Sequence, residues 1–171
     1  MDLASRPFAY SWVLALTLLW APSGALAQSG AVVYEYAYPY NTPDLIENHH
    51  IALEAGADGW SGWYWGTSDE FDRGREGYLP GFFVAPLTDL RVSATEIAFT
   101  IVRPERFFTA SVPLEYRNAR DVPSGRLVEW SIPLTTDTVR YTGSRTADGI
   151  VLRTQGGDRV FRVLRATAAA R

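Results

Sequence analysis

One short segment brings together two kinds of chemistry. In "DGWSGWYWGTSDEFDRGREGYLPGFF", residues 58 to 83, Trp60, Trp63, Tyr64 and Trp65 run straight into Asp69, Glu70, Asp72, Arg73, Arg75 and Glu76. Flat aromatic rings wall off a pocket and stack on apolar or sugar-like ligands. Carboxylates move protons or hold cations. The acids here do not follow the calcium-loop pattern of alternating acids, an invariant Gly and a terminal Glu. A glycoside-cleaving pair needs a separation of roughly 5 to 10 Å across a cleft, which spacing within a loop does not set. The acidic stretch is therefore expected to be a solvated loop whose Arg residues pair with its acids.

His49 and His50 are the only histidines. In a strand they point to opposite faces and cannot share a metal. In a helix Glu47 and His50 would have Glu-x-x-His spacing, but only one copy exists, so neither metal nor cofactor is expected. With no cysteine, a nucleophile would have to be Ser, Thr or Tyr, and no Gly-x-Ser-x-Gly elbow occurs. No phosphate-cradling loop is present either. "VVYEYAYPY" places Tyr34, Tyr36, Tyr38 and Tyr40 on one face of a strand, suited to a binding face, a lid or edge cover. Pro39 would confine that strand to an edge.

The elements that must hold these side chains are strands. Apolar residues alternate with period two between Gly, Pro, Asn and Asp breaks over 31–38, 49–55, 60–67, 81–85, 89–93, 96–102, 106–112, 126–132, 138–144, 149–154 and 159–165. Hairpins turn at Gly56–Gly59, Ala147–Gly149 and Gly156–Asp158, where Asp-Gly and Gly-Gly pairs supply the positive φ that tight turns require. Thr42, Pro43 and Asp44 signal a short helical turn near 43–47. The fold class is all-β, as an antiparallel up-and-down barrel or a two-sheet sandwich. In a strand over 60–67, Trp60 and Tyr64 face one side while Trp63 and Trp65 face the other, so both faces must be covered.

Export is expected. Residues 1–27 combine Arg6, an apolar run from Trp12 to Trp20 and the small-x-small site Ala25-Leu26-Ala27, the parts of a signal peptide. That run is too short to span a bilayer, so no membrane anchor is expected and the mature protein is placed in the periplasm or outside the cell. Residues 28–171 read as one β domain that relies on its core, since no disulfide is available. All 16 basic residues are Arg. Residues 28–100 carry 11 acidic and 3 basic side chains, and 101–171 carry 7 and 12. Antiparallel strands are expected to interleave these halves. A net charge of −3 argues against nucleic acid as a partner.

"RYTGSRTADGIVLRTQGGDRVFRVLR" resembles the closing hairpins of lipocalin-like and avidin-like barrels, a likeness that extends over residues 48 to 165. It is one of architecture, because Gly62 is followed directly by Trp63 where lipocalins have one residue between. "GTSDEFDRGREGYLPGFFVA" is similar to segments of small exported bacterial proteins without assigned activity. The resemblance implies a barrel that holds a small apolar or sugar-like ligand without catalysis. The ligand would contact Trp60, Trp63, Tyr64 and Trp65, with Asp69, Asp72 and Tyr78 at the mouth. Two alternatives stand beside it: a hydrolase-type enzyme using Asp69, Glu70 or Asp72, with His49 or His50, and an envelope docking module using the Tyr stripe.

Overall fold

The computed structural model describes residues 30–39, 48–67, 70–72, 77–79, 81–104, 106–130, 136–154 and 156–164. The export segment 1–27 and the helical turn expected near 43–47 lie outside them.

Eleven strands follow one another as β1 (Val32–Tyr36), β2 (His49–Gly56), β3 (Gly59–Thr67), β4 (Glu70–Asp72), β5 (Gly77–Leu79), β6 (Phe82–Pro86), β7 (Thr88–Val92), β8 (Glu96–Val102), β9 (Thr138–Arg145), β10 (Gly149–Thr154) and β11 (Gly157–Val163). Nine form one antiparallel sheet in the order β6-β3-β2-β1-β11-β10-β9-β8-β7. Its two outer members are consecutive in the chain. β6 pairs with β3, β7 pairs with β8, and only Leu87 separates them, its N–H reaching Gly62 O at 2.9 Å. One bent strand thus nearly closes the sheet into a barrel, which removes the exposed edges that an open sheet would present.

The bend has a visible cause. Register slips between Thr88 and Arg91, and Asp89 sits there at φ 49°, in the left-handed region that Asp tolerates better than most residues. The hairpin joining β3 to β6 is longer than expected. β4 and β5 pair Glu70 with Leu79 and Asp72 with Gly77, in the register that continues Thr67 opposite Phe82. Glu70–Asp72, within the stretch read as a solvated acidic loop, is therefore paired backbone, with Asp69 and 73–76 outside the described residues.

Inward positions of the long strands are mostly apolar. Ile51, Leu53, Tyr64, Phe83, Ile97, Phe99, Ile101, Ile150, Leu152 and Phe161 fill the interior. A second core lies on the outer side of the wall, where Ala52, Trp65 and Val84 meet Phe108, Val112, Ala119 and Val122. These last four come from the long connection between β8 and β9, whose ends are tied by Arg103 and Asp137. Of the strands expected over 106–112 and 126–132, none forms among the described residues, which end at Trp130 in the second. The segment makes isolated bridges, Phe108 to Phe82 and to Glu129, and one 3-10 turn over Ala119–Asp121. Its apolar residues cover a sheet face instead of joining a ladder.

β1 is not an edge strand, as Pro39 had suggested, but lies between β2 and β11, and Pro39 falls beyond its end. The charge halves also do not interleave. Strand order around the barrel follows chain order, so β9, β10 and β11 form one continuous, Arg-rich side.

Candidate functional site

Strict alternation along β3 sends its four aromatic residues to three places. Tyr64 points inward, 1 % exposed, stacked between Phe83 and Tyr141 with centroids at 6.0 and 5.8 Å. Trp65 points outward into the second core, where its indole N–H donates to Tyr116 O at 3.0 Å. Trp63, half-buried on the same face, carries the Arg117 guanidinium 4.2 Å above its ring. Trp60 lies at the opposite end of the strand, 38 % exposed, with Arg145 at 5.3 Å. One pocket lined by all four does not form. Asp72 and Tyr78 sit in β4 and β5, beyond the end of β3 that carries Trp65, and Asp69 is outside the described residues.

The cover required for the second face of β3 is the 106–127 segment, not the Tyr stripe. Tyr34 and Tyr36 pack into the barrel interior, and Tyr38 follows them past the end of β1.

Polar side chains gather inside the barrel at that end. His49 begins β2 facing inward and is 1 % exposed. Its Nδ1 lies 2.7 Å from the Tyr64 hydroxyl. Its Nε2 faces the Tyr38 hydroxyl at 3.1 Å and Arg159 Nη1 at 3.4 Å, while Arg159 Nη2 donates to Tyr38 at 2.8 Å. A guanidinium only donates, so Nε2 is the accepting nitrogen and the tautomer with its proton on Nδ1 satisfies these contacts. Arg159 also lies 5.7 and 5.4 Å from the Tyr36 and Tyr38 rings. A half-buried charged head placed this way is held by hydrogen bonds and ring faces together. Gly66 makes the arrangement possible, because a Cβ there would meet His49 Nδ1 at 2.5 Å and Tyr64 Cε1 at 2.6 Å.

On the other side of the same wall is a cleft of about 190 Å³. Trp65, Phe82, Pro113 and Leu114 supply its apolar surface, and Asn48 and His50 its polar groups. The two histidines point to opposite faces, as strand alternation requires. His50 Nε2 lies 3.2 Å from Glu35 Oε1, which also accepts from Asn48 Nδ2 at 2.6 Å. Burial pushes the His50 imidazole below its ordinary value, and the neighbouring Glu35 carboxylate offsets only part of that. The imidazole is therefore neutral at neutral pH. Ser111 opens onto the same cleft.

Sequence reasoning found Trp65, the histidines and Tyr38, the last as part of the Tyr stripe, but not Glu35, Asn48, Arg159 or the 111–114 strap. For Arg159 a signal was present. It shares a face with Phe161 and Val163 in β11, and a charge in an inward row marks a paired interior group. For the strap there was none, since local pattern does not reveal which distant face a segment covers. Comparison of the chain with protein-family models, with curated proteins and with solved structures gives no match.

Proposed function

We propose that the chain is an exported, non-catalytic binding module of calycin-type barrel architecture. It takes a compact ligand with a flat apolar body and one polar end in the cleft beside Trp65. The observation that carries this reading is the composition of the cleft, an indole and five further apolar side chains beside a hydrogen-bonded pair of polar groups, Asn48 and His50. Such a mixture, mostly apolar with few convergent polar groups, is typical of small-molecule sites. A dry cavity of about 150 Å³ accommodates benzene, so about 190 Å³ suits a single substituted ring. The lumen is filled by its own side chains, which favours a site at the rim over the enclosed ligand of the larger barrels. Export rests on the first 27 residues, and the calycin resemblance on the hairpin pattern together with the nearly closed antiparallel barrel.

The test is native mass spectrometry of the protein purified from an exporting host, comparing folded and denatured masses. A releasable adduct that is reduced by Leu114→Arg, which keeps the core but fills the cleft, is the expected result. An adduct-free protein, or one whose adduct is indifferent to Leu114→Arg, refutes the reading.

A second reading has one observation in its favour. Glu35 and His50 form a carboxylate–imidazole pair in the same cleft as Ser111, the residue types of a base-activated hydroxyl nucleophile. Hydrolysis of a small acyl ester that is abolished by both Ser111→Ala and His50→Gln would replace binding with catalysis as the conclusion.

A further inference from the structure

The covering segment lies over the outer faces of β1, β2, β3 and β6 and, among the described residues, leaves those of β7 to β10 bare. On that bare side is a separate groove of about 690 Å³, within the range of about 300–1,000 Å³ in which small-molecule sites fall.

Register shows how it is built. Arg91 of β7 lies opposite Ala98 of β8, Ala98 opposite Thr142 of β9, Thr142 opposite Arg153 of β10, and Arg153 opposite Asp158 of β11. These five outward side chains form one straight row across the strands. With strands about 4.8 Å apart, the Arg91 and Arg153 backbones stand about 14 Å from each other. Between them the floor is only a methyl and a short hydroxyl side chain. Two long guanidinium side chains therefore flank a low floor. One residue pair along, Glu96 lies opposite Ser144, and Ser93 and Thr95 close that end.

Neither Arg91 nor Arg153 has a carboxylate partner among the described residues, whereas Arg103, Arg106, Arg117 and Arg126 all do. The basic character continues along the wall with Arg140 and Arg162, both exposed. A guanidinium presents parallel N–H donors that match a carboxylate or phosphate. The hydroxyls of Thr142 and Ser144 and the Glu96 carboxylate match a polyol, the carboxylate accepting from sugar hydroxyls.

We infer that this groove binds an acidic glycan. One acid group lies between Arg91 and Arg153, and the sugar hydroxyls meet Thr142, Ser144 and Glu96. A flat anionic membrane surface fits less well, because the site is concave.

The experiment is isothermal titration of the full chain with a trimer of galacturonic acid, against a neutral galactose trimer and against vesicles containing anionic phospholipid. Binding of the acidic trimer alone is expected, weakened by added salt and about tenfold or more by Arg91→Ala or Arg153→Ala. Arg→Lys at either position should not restore it, since an ammonium lacks the paired donors. Leu114→Arg, at the rim cleft, should leave it unchanged, which separates the two sites. Equal binding of the neutral trimer, binding indifferent to both Arg substitutions, or stronger capture by vesicles overturns the inference.

Discussion

Gly66→Ala puts the least possible atom into the most constrained place in the barrel. A Cβ there would sit 2.5 Å from His49 Nδ1 and 2.6 Å from Tyr64 Cε1, and both rings are buried with stacked neighbours, so neither swings away freely. Overpacking of this kind costs about 1–3 kcal/mol. Pushing the rings apart also lengthens the 2.7 Å Tyr64–His49 hydrogen bond, for about 1 kcal/mol more. Against this, Ala restricts the unfolded chain and returns about 0.4–1 kcal/mol. The balance is a loss of about 2 kcal/mol, which for a domain of this size lowers Tm by about 8 °C. Gly56→Ala is the control. Gly56 ends β2, exposed, and a Cβ there meets nothing closer than 3.5 Å, so the same substitution should be neutral or slightly stabilising. Urea unfolding followed by Trp fluorescence measures both. If Gly66→Ala falls within about 0.5 kcal/mol of Gly56→Ala, the interior cluster is not tightly packed and the account of it fails.

Three further outcomes follow from the same geometry. Asp89 holds φ 49° at the bend that closes the barrel, so Asp89→Gly should be neutral or gain up to about 1 kcal/mol, and Asp89→Val should lose about 1–2 kcal/mol in chemical denaturation. His50 takes a proton less readily folded than unfolded. Above its ordinary value of 6.5 both states are neutral and stability is full; as pH falls through 6.5 the unfolded chain is protonated first and stability drops. His50→Gln should flatten that part of a stability-versus-pH curve between about pH 7 and 5. Arg103 and Asp137 tie the two ends of the covering segment by a two-pronged ion pair and a 2.9 Å backbone bond, so Asp137→Ala should cost about 1 kcal/mol and expose sites within 104–136 to limited proteolysis.

Much of the barrel was legible because the pleat writes itself into sequence. β8 and β10 match the expected 96–102 and 149–154 at both ends, two hairpins turn where Asp58-Gly59 and Asp148-Gly149 stand, and the third turns just before the expected Gly156–Asp158, with Gly157 and Asp158 already paired to Thr154 and Arg153. The failures share a cause. Phe108 and Val112 show the apolar spacing of a strand, yet they pack across a sheet face without a ladder while Phe107 turns into the barrel interior, and burial alone imposes that spacing. The same ignorance of distant partners hid the rim cleft, whose second wall comes from residues some 50 positions away in sequence. The aromatics of β3 did announce that both faces are covered, and both are, by different cores.

Connectivity explains why the molecule is two-sided. A meander keeps neighbours in sequence as neighbours in space, so a compositional drift along the chain becomes a difference around the barrel. The one long excursion folds back over β1, β2, β3 and β6, the side where Trp63 and Trp65 need cover. It thereby makes the cleft beside Trp65 and, for the same reason, leaves the β7–β10 side uncovered among the described residues, where Arg91 and Arg153 have no carboxylate partner. The two candidate sites are consequences of one loop's direction. Shortening that loop should remove the rim cleft and destabilise the outward tryptophans while sparing the arginine groove, because no residue of the groove belongs to it.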